Sequence, residues 1–311
     1  MDNEQALHSV DRLLHDVVDS DVDVLRDASR HILEAGGKRV RPRLTLLAYE
    51  AVGGKDINEV LPIAAAVELV HTATLVHDDI NDHGSMRRGR PTVNARWGRT
   101  FALLTGDFLF TKVYQLMAPF KDLNIIFAEM TMALVEGETL QAAAAKSGQL
   151  DRETYARIIA KKTASLFAGA AKMGAILGGG TPEQVSALEQ YGFNTGLAFQ
   201  IVDDILDLIA DSQQLGKTAG LDMAQGKGFA TMMAGAHGSK PTTATAVVNV
   251  DAADPLAAFK QKMMSGNYIQ EGREQANQLA TLAQFSLNAL PASEASAELF
   301  NLAQQIIDRD H

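Results

Sequence analysis

The sequence predicts an all-α protein, on three observations. Apolar residues recur at helical spacing along nearly the whole chain. Alternation of β-branched residues is confined to one short stretch, AVVNV at Ala246–Val250. Helix starts and stops punctuate the apolar segments, at Ser20 with Asp23 three residues on, at Gly36-Gly37, at Gly178–Gly180 and at Thr181-Pro182.

Taken in order, Ser20 and Asp23 form the pattern of a capping box, and the helix they open is closed by Gly36-Gly37. Pro42 suits the first turn of the next helix, because its missing N–H would have no partner there. A long helix follows over residues 58–82, with Pro62 in its first turn and the acidic run DDIND at its C-terminal end. Further helices are expected over 98–118, 123–146 and 152–177. Another starts at Thr181-Pro182 and runs through Gly192 and Gly196, where small residues permit close helix contact, to DDILD and Asp211. The glycine-rich LGKTAGLDMAQGKG reads as a loop, residues 237–253 as a polar surface connection, and the rest as two or three amphipathic helices.

The chain has 311 residues, 46% of them hydrophobic, enough to bury a full core, and it shows no linker before residue 235. Residues 1–311 are therefore read as one domain. Cysteine is absent, which removes thiol nucleophiles, thiolate metal sites and disulfides, and fits a reducing cytoplasm. No signal peptide or membrane span is expected, and a net charge of −10 argues against a nucleic-acid partner. The basic residues are nevertheless clustered. Lys38, Arg39, Arg41 and Arg43 form one group, and Arg87, Arg88, Arg90, Arg96 and Arg99 another, neither containing an acid. Local arginine clusters in an acidic chain suggest a compact anionic ligand.

The acidic signature occurs twice, as Asp78, Asp79 and Asp82 and again as Asp203, Asp204 and Asp207. On a helix the first and third carboxylates of each set share a face and the second flanks it. Two such faces pointed at each other repel unless cations lie between them, and all-oxygen ligands favour hard ions such as magnesium. At a helix C-terminus, which is electronegative, the first set needs those cations more. With lysine and arginine nearby and apolar helices as walls, the combination suits a diphosphate and the ionisation of an allylic one.

GGKRVRP, ELVHTATLVHDDIND, MRRGRPTVN, LLTGDFLF, EGETLQ, KKTASLF and FQIVDDILD, followed by LGKTAGLDMAQGK, stand in the order and spacing of the trans-polyprenyl diphosphate synthases, which the chain resembles from Gly36 onward. The resemblance implies an antiparallel helical bundle of the isoprenoid synthase type around a deep cavity, in homodimers. It implies that both aspartate triads hold three magnesium ions around an allylic diphosphate. Arg87, Lys162 and Lys217 would contact that diphosphate, with Thr163, Gln200 and Lys227 nearby, and Gln141 would lie in the central cavity. Isopentenyl diphosphate would meet Lys38, Arg41, His71 and Arg88, with Gly37 allowing close backbone approach. The implied reaction is ionisation, condensation and loss of a proton to the released diphosphate, so no protein base is needed.

In that family, small residues four and five positions before the first motif open a tunnel for the growing chain. Here they are Thr74 and Ala73, and DDIND lacks the two-residue insertion frequent in short-chain bacterial members. A medium- or long-chain product is the expectation, with a short-chain synthase or a non-catalytic subunit of a heteromeric synthase as the alternatives. A long product would favour membrane proximity. The family's Thr-Leu-Pro segment after Lys227 is replaced here by Gly228-Phe229-Ala230-Thr231. Terpene cyclases replace the second triad with an Asn/Ser/Glu pattern, which DDILD does not fit. A di-iron bundle would need a second Glu-x-x-His besides Glu68 and His71, and a P-loop would need glycine at Asp211.

Overall fold

The computed structural model describes residues 3–209, 227–236 and 267–309. Its helices are α1 (Asn3–Val17), α2 (Asp23–Glu34), α3 (Val40–Ala51), α4 (Ile57–Asn81), α5 (Val93–Trp97), α6 (Arg99–Met117) and α7 (Leu123–Ser147). They continue as α8 (Arg152–Ile159), α9 (Ser165–Leu177), α10 (Pro182–Ile209), α11 (Gly228–Ala236), α12 (Tyr268–Ser286) and α13 (Glu294–Ile307). Among the described residues the strands are two dipeptides, β1 (Met86–Arg87) and β2 (Arg90–Pro91), paired as an antiparallel hairpin with Arg87 opposite Arg90. The all-α expectation holds. The AVVNV stretch, the loop carrying Lys217 and the polar segment 237–253 lie outside the described residues.

α4 explains the architecture. It is apolar on every side, and such a helix is stable only when other helices surround it. Val60, Ile63, Val67, Leu69, Val70, Ala73 and Val76 are all buried, against α1, α3, α6 and α9. Although α4 is long and apolar enough to cross a bilayer, 72% of its most apolar window is buried within the protein. A second apolar cluster, including Tyr155, Ile159, Ile201, Ile205, Phe229 and Met233, joins α8, α10, α11 and α12.

Three local details depart from the sequence expectation. The capping box at Ser20 does not form, because the Ser20 hydroxyl accepts the Val22 N–H at 3.1 Å and Val22 becomes the residue before α2. α4 begins earlier than expected, capped by Asp56, whose carboxylate accepts the Asn58 N–H at 3.0 Å, so Pro62 falls in the second turn. The helix expected over 152–177 is interrupted by one π turn, Ala160–Ala164. The expected close contact at Gly192 and Gly196 is present. A Cβ at Gly192 would stand 2.5 Å from the Phe167 carbonyl oxygen, and one at Gly196 2.7 Å from the Ala164 Cα.

Candidate active site

α4 ends at Asn81 and α10 carries DDILD in its last turns, so both triads project into one cavity of about 520 Å³. Asp78, Asp82, Asp203 and Asp207 line it. The middle aspartate of each triad is turned into the protein. Asp79 is buried and accepts Nε of Arg87 at 2.9 and 3.0 Å on its two oxygens. Asp204 accepts Gln200 Nε2 at 2.8 Å on one oxygen, and the Tyr155 hydroxyl at 2.8 Å and the Phe229 N–H at 2.9 Å on the other. Spacing i, i+1, i+4 on a helix requires this division, with two carboxylates on one face and the third beside it. Burial raises the Asp79 carboxyl above the usual range, against the opposing pull of Arg87. Burial and Asp204 together push the Tyr155 phenol well above its ordinary value.

Cations meet the acidic end from two elements. Lys227, at the start of α11, pairs with Asp82. Lys162 lies within the π turn, a distortion that frequently marks functional positions. Its ammonium contacts Glu138 at 2.6 Å, donates to Gln141 Oε1 at 2.8 Å and stands 3.8 Å from Asp78. Gly137 makes that position possible, because a Cβ there would stand 2.4 Å from the Lys162 backbone nitrogen. Thr163, the next residue, donates to Gln200 Oε1 at 2.6 Å.

The opposite end is basic. Lys38, Arg41, His71, Arg88 and Arg309 line it, with Gly37. Arg88 and Gly89 both have positive φ, 50° and 73°, as the two-residue hairpin between β1 and β2 demands. That turn carries the Arg88 guanidinium over the loop before α3, where a Cβ on Gly37 would stand 2.8 Å from Arg88 Nη1. Arg41 is buried with its guanidinium 4.8 Å from the Phe167 ring centre and 5.6 Å from that of Phe199. Its Nε has no hydrogen-bond acceptor among the described residues. Burial pulls its pKa down to about 10, although Glu68 and Asp203 oppose the shift. Burial and the neighbouring Arg41, Arg88, Arg87 and Arg39 hold the His71 imidazole well below its usual range, so it is neutral at physiological pH.

The cavity brings together Gly37, Lys38, Arg41, His71, Asp78, Asp82, Arg87, Arg88, Lys162, Thr163, Gln200, Asp203 and Asp207. Asp79 is buried behind it, and Gln141, expected in the central cavity, lines instead a small adjoining pocket with Asp204 and Lys227, held there by its bond from Lys162. Thr74 lines the cavity, whereas Ala73 is fully buried in the core around α4. Lys217 lies outside the described residues. Three participants were not anticipated from sequence. Glu138 holds Lys162, Tyr155 holds Asp204, and Arg309 reaches the cavity, stacked 4.2 Å over Phe199 and 3.8 Å from Asp203. Glu138 belongs to EGETLQ and could have been found there, but Tyr155 and Arg309 fall between or beyond the recognisable motifs.

Hard divalent ions fit the acidic end by donor chemistry, since the groups facing it are carboxylate oxygens. Among the described residues no three acidic or histidine side chains converge closely enough to hold an ion alone. Ions here would share their ligands with a bound anion, as magnesium commonly does with phosphates.

A family model, polyprenyl synthetase, matches residues 22–260. The chain belongs to this family. It is 35% identical to octaprenyl diphosphate synthase of Escherichia coli (strain K12) over 98% of its own length and 96% of that protein. A short-chain isoprenyl diphosphate synthase of Methanothermobacter thermautotrophicus is 42% identical, but over 70% of this chain and 68% of that one. A polyprenyl synthase from Caulobacter crescentus, solved with calcium and isoprenyl diphosphate, superposes with a TM-score of 0.91 at 32% identity, covering 99% of this chain and 96% of that one. The protein is a trans-polyprenyl diphosphate synthase of the medium- and long-chain type, a prenyltransferase with the all-α fold of its family.

Proposed function

We propose that this prenyltransferase joins isopentenyl diphosphate to an allylic diphosphate with the help of three magnesium ions, repeating the step to give a medium- or long-chain product. One observation carries the reading: a single cavity has a carboxylate-rich end and a basic end, and Arg41 is buried at the basic end with its Nε lacking an acceptor among the described residues.

Asp78, Asp82, Asp203 and Asp207 would hold the ions, whose chemistry is to neutralise the departing diphosphate. Arg87 and Asp204 with its partners fix the frame around them, while Lys162, Lys227 and Lys217 supply further positive charge to the allylic diphosphate. Lys38, Arg41, His71 and Arg88 take the diphosphate of isopentenyl diphosphate, with Arg309 beside them. Neutral His71 can accept or donate a hydrogen bond without adding charge. Leu75, Leu134, Leu166, Phe199 and Leu206 line the space between and exclude water from the allylic cation formed when the C1–O bond breaks. The isopentenyl double bond attacks C1, and the C2 proton leaves to the released diphosphate.

We also infer a homodimer, supported by the exposed apolar side chains Phe101, Leu103, Leu104 and Tyr114 of α6 and Ile125, Met132 and Val135 of α7. A cytoplasmic location is supported by the cysteine-free composition. The test is incubation of purified protein with labelled isopentenyl diphosphate, magnesium and a series of allylic primers, followed by sizing of the dephosphorylated products. Incorporation that depends on both primer and magnesium is expected. No incorporation with any primer overturns the proposal, and sedimentation in the same buffer tests the dimer.

A further inference from the structure

Arg39 stands between two residues assigned to isopentenyl diphosphate, yet it is engaged by the protein. It is the residue that enters α3, and its φ of 46° lies in the left-handed region that side chains other than glycine avoid. Such a conformation persists where surrounding contacts impose it. Here the guanidinium imposes it. Nε donates to Asp11 on α1 at 2.8 Å, Nη1 to Glu68 on α4 at 2.8 Å, and Nη2 to the Leu33 carbonyl near the end of α2 at 3.3 Å. One planar fork thus ties three helices to the turn that starts a fourth, which a lysine, with a single nitrogen, could not do.

Glu68 is the buried member of this arrangement, its side chain 4% exposed against 39% for Asp11. It lies one turn before His71 on the same face of α4 and borders the basic end of the cavity.

We propose that Glu68 is a positioning residue for the isopentenyl diphosphate end of the cavity. Acting through Arg39, it holds the turn that aims Lys38 and Arg41 inward, and it occupies the Arg39 cation so that this group does not draw the substrate out of register. The proposal rests on the assignment of Lys38, Arg41, His71 and Arg88 to isopentenyl diphosphate made above. It predicts an effect confined to one substrate. The allylic diphosphate is served by Lys162, Lys227 and the aspartates at the other end, none of which contacts Arg39 or Glu68.

The test is steady-state kinetics with each substrate varied in turn, on the wild type and on Glu68→Gln, Arg39→Lys and Arg41→Met, with melting temperature measured alongside. Glu68→Gln and Arg39→Lys are each expected to raise KM for isopentenyl diphosphate by roughly ten-fold or more, while KM for the allylic primer stays within about two-fold. Glu68→Asp should recover part of the loss. Equal changes in both KM values, or a fall in kcat alone, would mean that the buried pair serves stability only and would overturn the proposal. Arg41→Met separates the two levels of inference. If it too leaves KM for isopentenyl diphosphate unmoved, the assignment of this end fails and the proposal with it; if it raises that KM and Glu68→Gln does not, the positioning role alone fails. Should Glu68→Gln not fold, Asp11→Asn, which releases the more exposed arm of the fork, decides the matter. A smaller increase in KM for isopentenyl diphosphate alone supports the proposal, and its absence overturns it.

Discussion

Replacing Arg41 by methionine should make the substrate-free protein more stable while crippling its use of isopentenyl diphosphate. A guanidinium whose pKa is pulled down to about 10 by burial on folding is disfavoured as a cation by about 3 kcal/mol. The contacts with Phe167 and Phe199 return part of this, about 1–2 kcal/mol for a buried cation over aromatic rings. Methionine keeps the length of the stem and makes its own sulfur–aromatic contacts, so the packing contribution is largely retained. The net expectation is a gain of about 1–2 kcal/mol, or on the order of 2–4 °C in melting temperature for a chain of this size.

The pH dependence fixes the sign. Below about pH 10 the group is charged in both states and the folded state bears the whole penalty. In the interval above about pH 10, before the unfolded chain also gives up its proton, the unfolded state binds more protons and stability rises with pH. The difference between wild type and Arg41→Met should therefore narrow over that interval. Thermal denaturation with and without inorganic diphosphate is the assay. The wild type should gain stability from the anion and the variant much less, and KM for isopentenyl diphosphate should rise at least about 100-fold, the usual cost of removing one partner of a desolvated ion pair. A variant that instead loses as much stability as an ordinary core truncation, about 2–5 kcal/mol, would refute the reasoning, because Arg41 would then be a satisfied structural group.

Thr74→Phe should place a ring in the cavity about 6 Å along α4 from Asp78 and shorten the product, read by chromatography of the dephosphorylated chains; an unchanged length distribution would remove Thr74 from the tunnel wall. Ala73→Phe, by contrast, adds bulk to a fully buried core position and should cost about 1–3 kcal/mol in denaturant unfolding, with any change in product length secondary to that strain. Gly174→Ala should destabilise by a similar amount, about 1–3 kcal/mol, since its Cβ would stand 2.4 Å from the Thr45 carbonyl oxygen, backbone that cannot step aside. Asp78→Ala should reduce turnover by at least about 100-fold without lowering the melting temperature, because it removes one of several mutually repelling carboxylates; near-normal turnover would make the triad a surface feature.

Much of the fold was legible because the long helices announce themselves by periodicity. α4 and α7 follow the apolar pattern within a residue or so of the expected bounds, and α10 starts at Pro182 as expected, the end of its expected span at Asp211 lying outside the described residues. What periodicity could not show were features decided by competition between neighbouring groups. The Ser20 hydroxyl accepts the N–H two residues on, at Val22, rather than the one three residues on, so the capping box expected there did not form. The π turn around Lys162 could not be read from the apolar pattern, since its sequence AKKTA carries no large apolar side chain that would mark the shift of the buried face. At the site, residues inside dense motifs were found and isolated ones were not. Tyr155 reaches Asp204 across 49 positions of sequence and Arg309 reaches Phe199 across 110, distances at which only the folded chain reveals a contact.

The doubled triad also acquires a more specific meaning from the orientation of its members. If all six aspartates faced the cavity, their repulsion would have to be balanced by ions alone, and the folded protein would depend on metal for its shape. Instead each triad spends its middle member on the framework. Asp79 is neutralised by Arg87, the residue that begins the turn presenting Arg88, and Asp204 gathers Gln200, Tyr155 and the first turn of α11, the helix that brings Lys227 to Asp82. The middle aspartates therefore couple the acidic end to the very elements that deliver the cations. A substitution such as Asp79→Asn should accordingly act on both ends of the cavity, raising KM for isopentenyl diphosphate as well as lowering turnover, because releasing Arg87 also loosens the hairpin that carries Arg88. Asp78→Asn, whose carboxylate faces only the acidic end, should leave KM for isopentenyl diphosphate nearly unchanged. Equal behaviour of the two variants would mean that orientation within the triad carries no functional division.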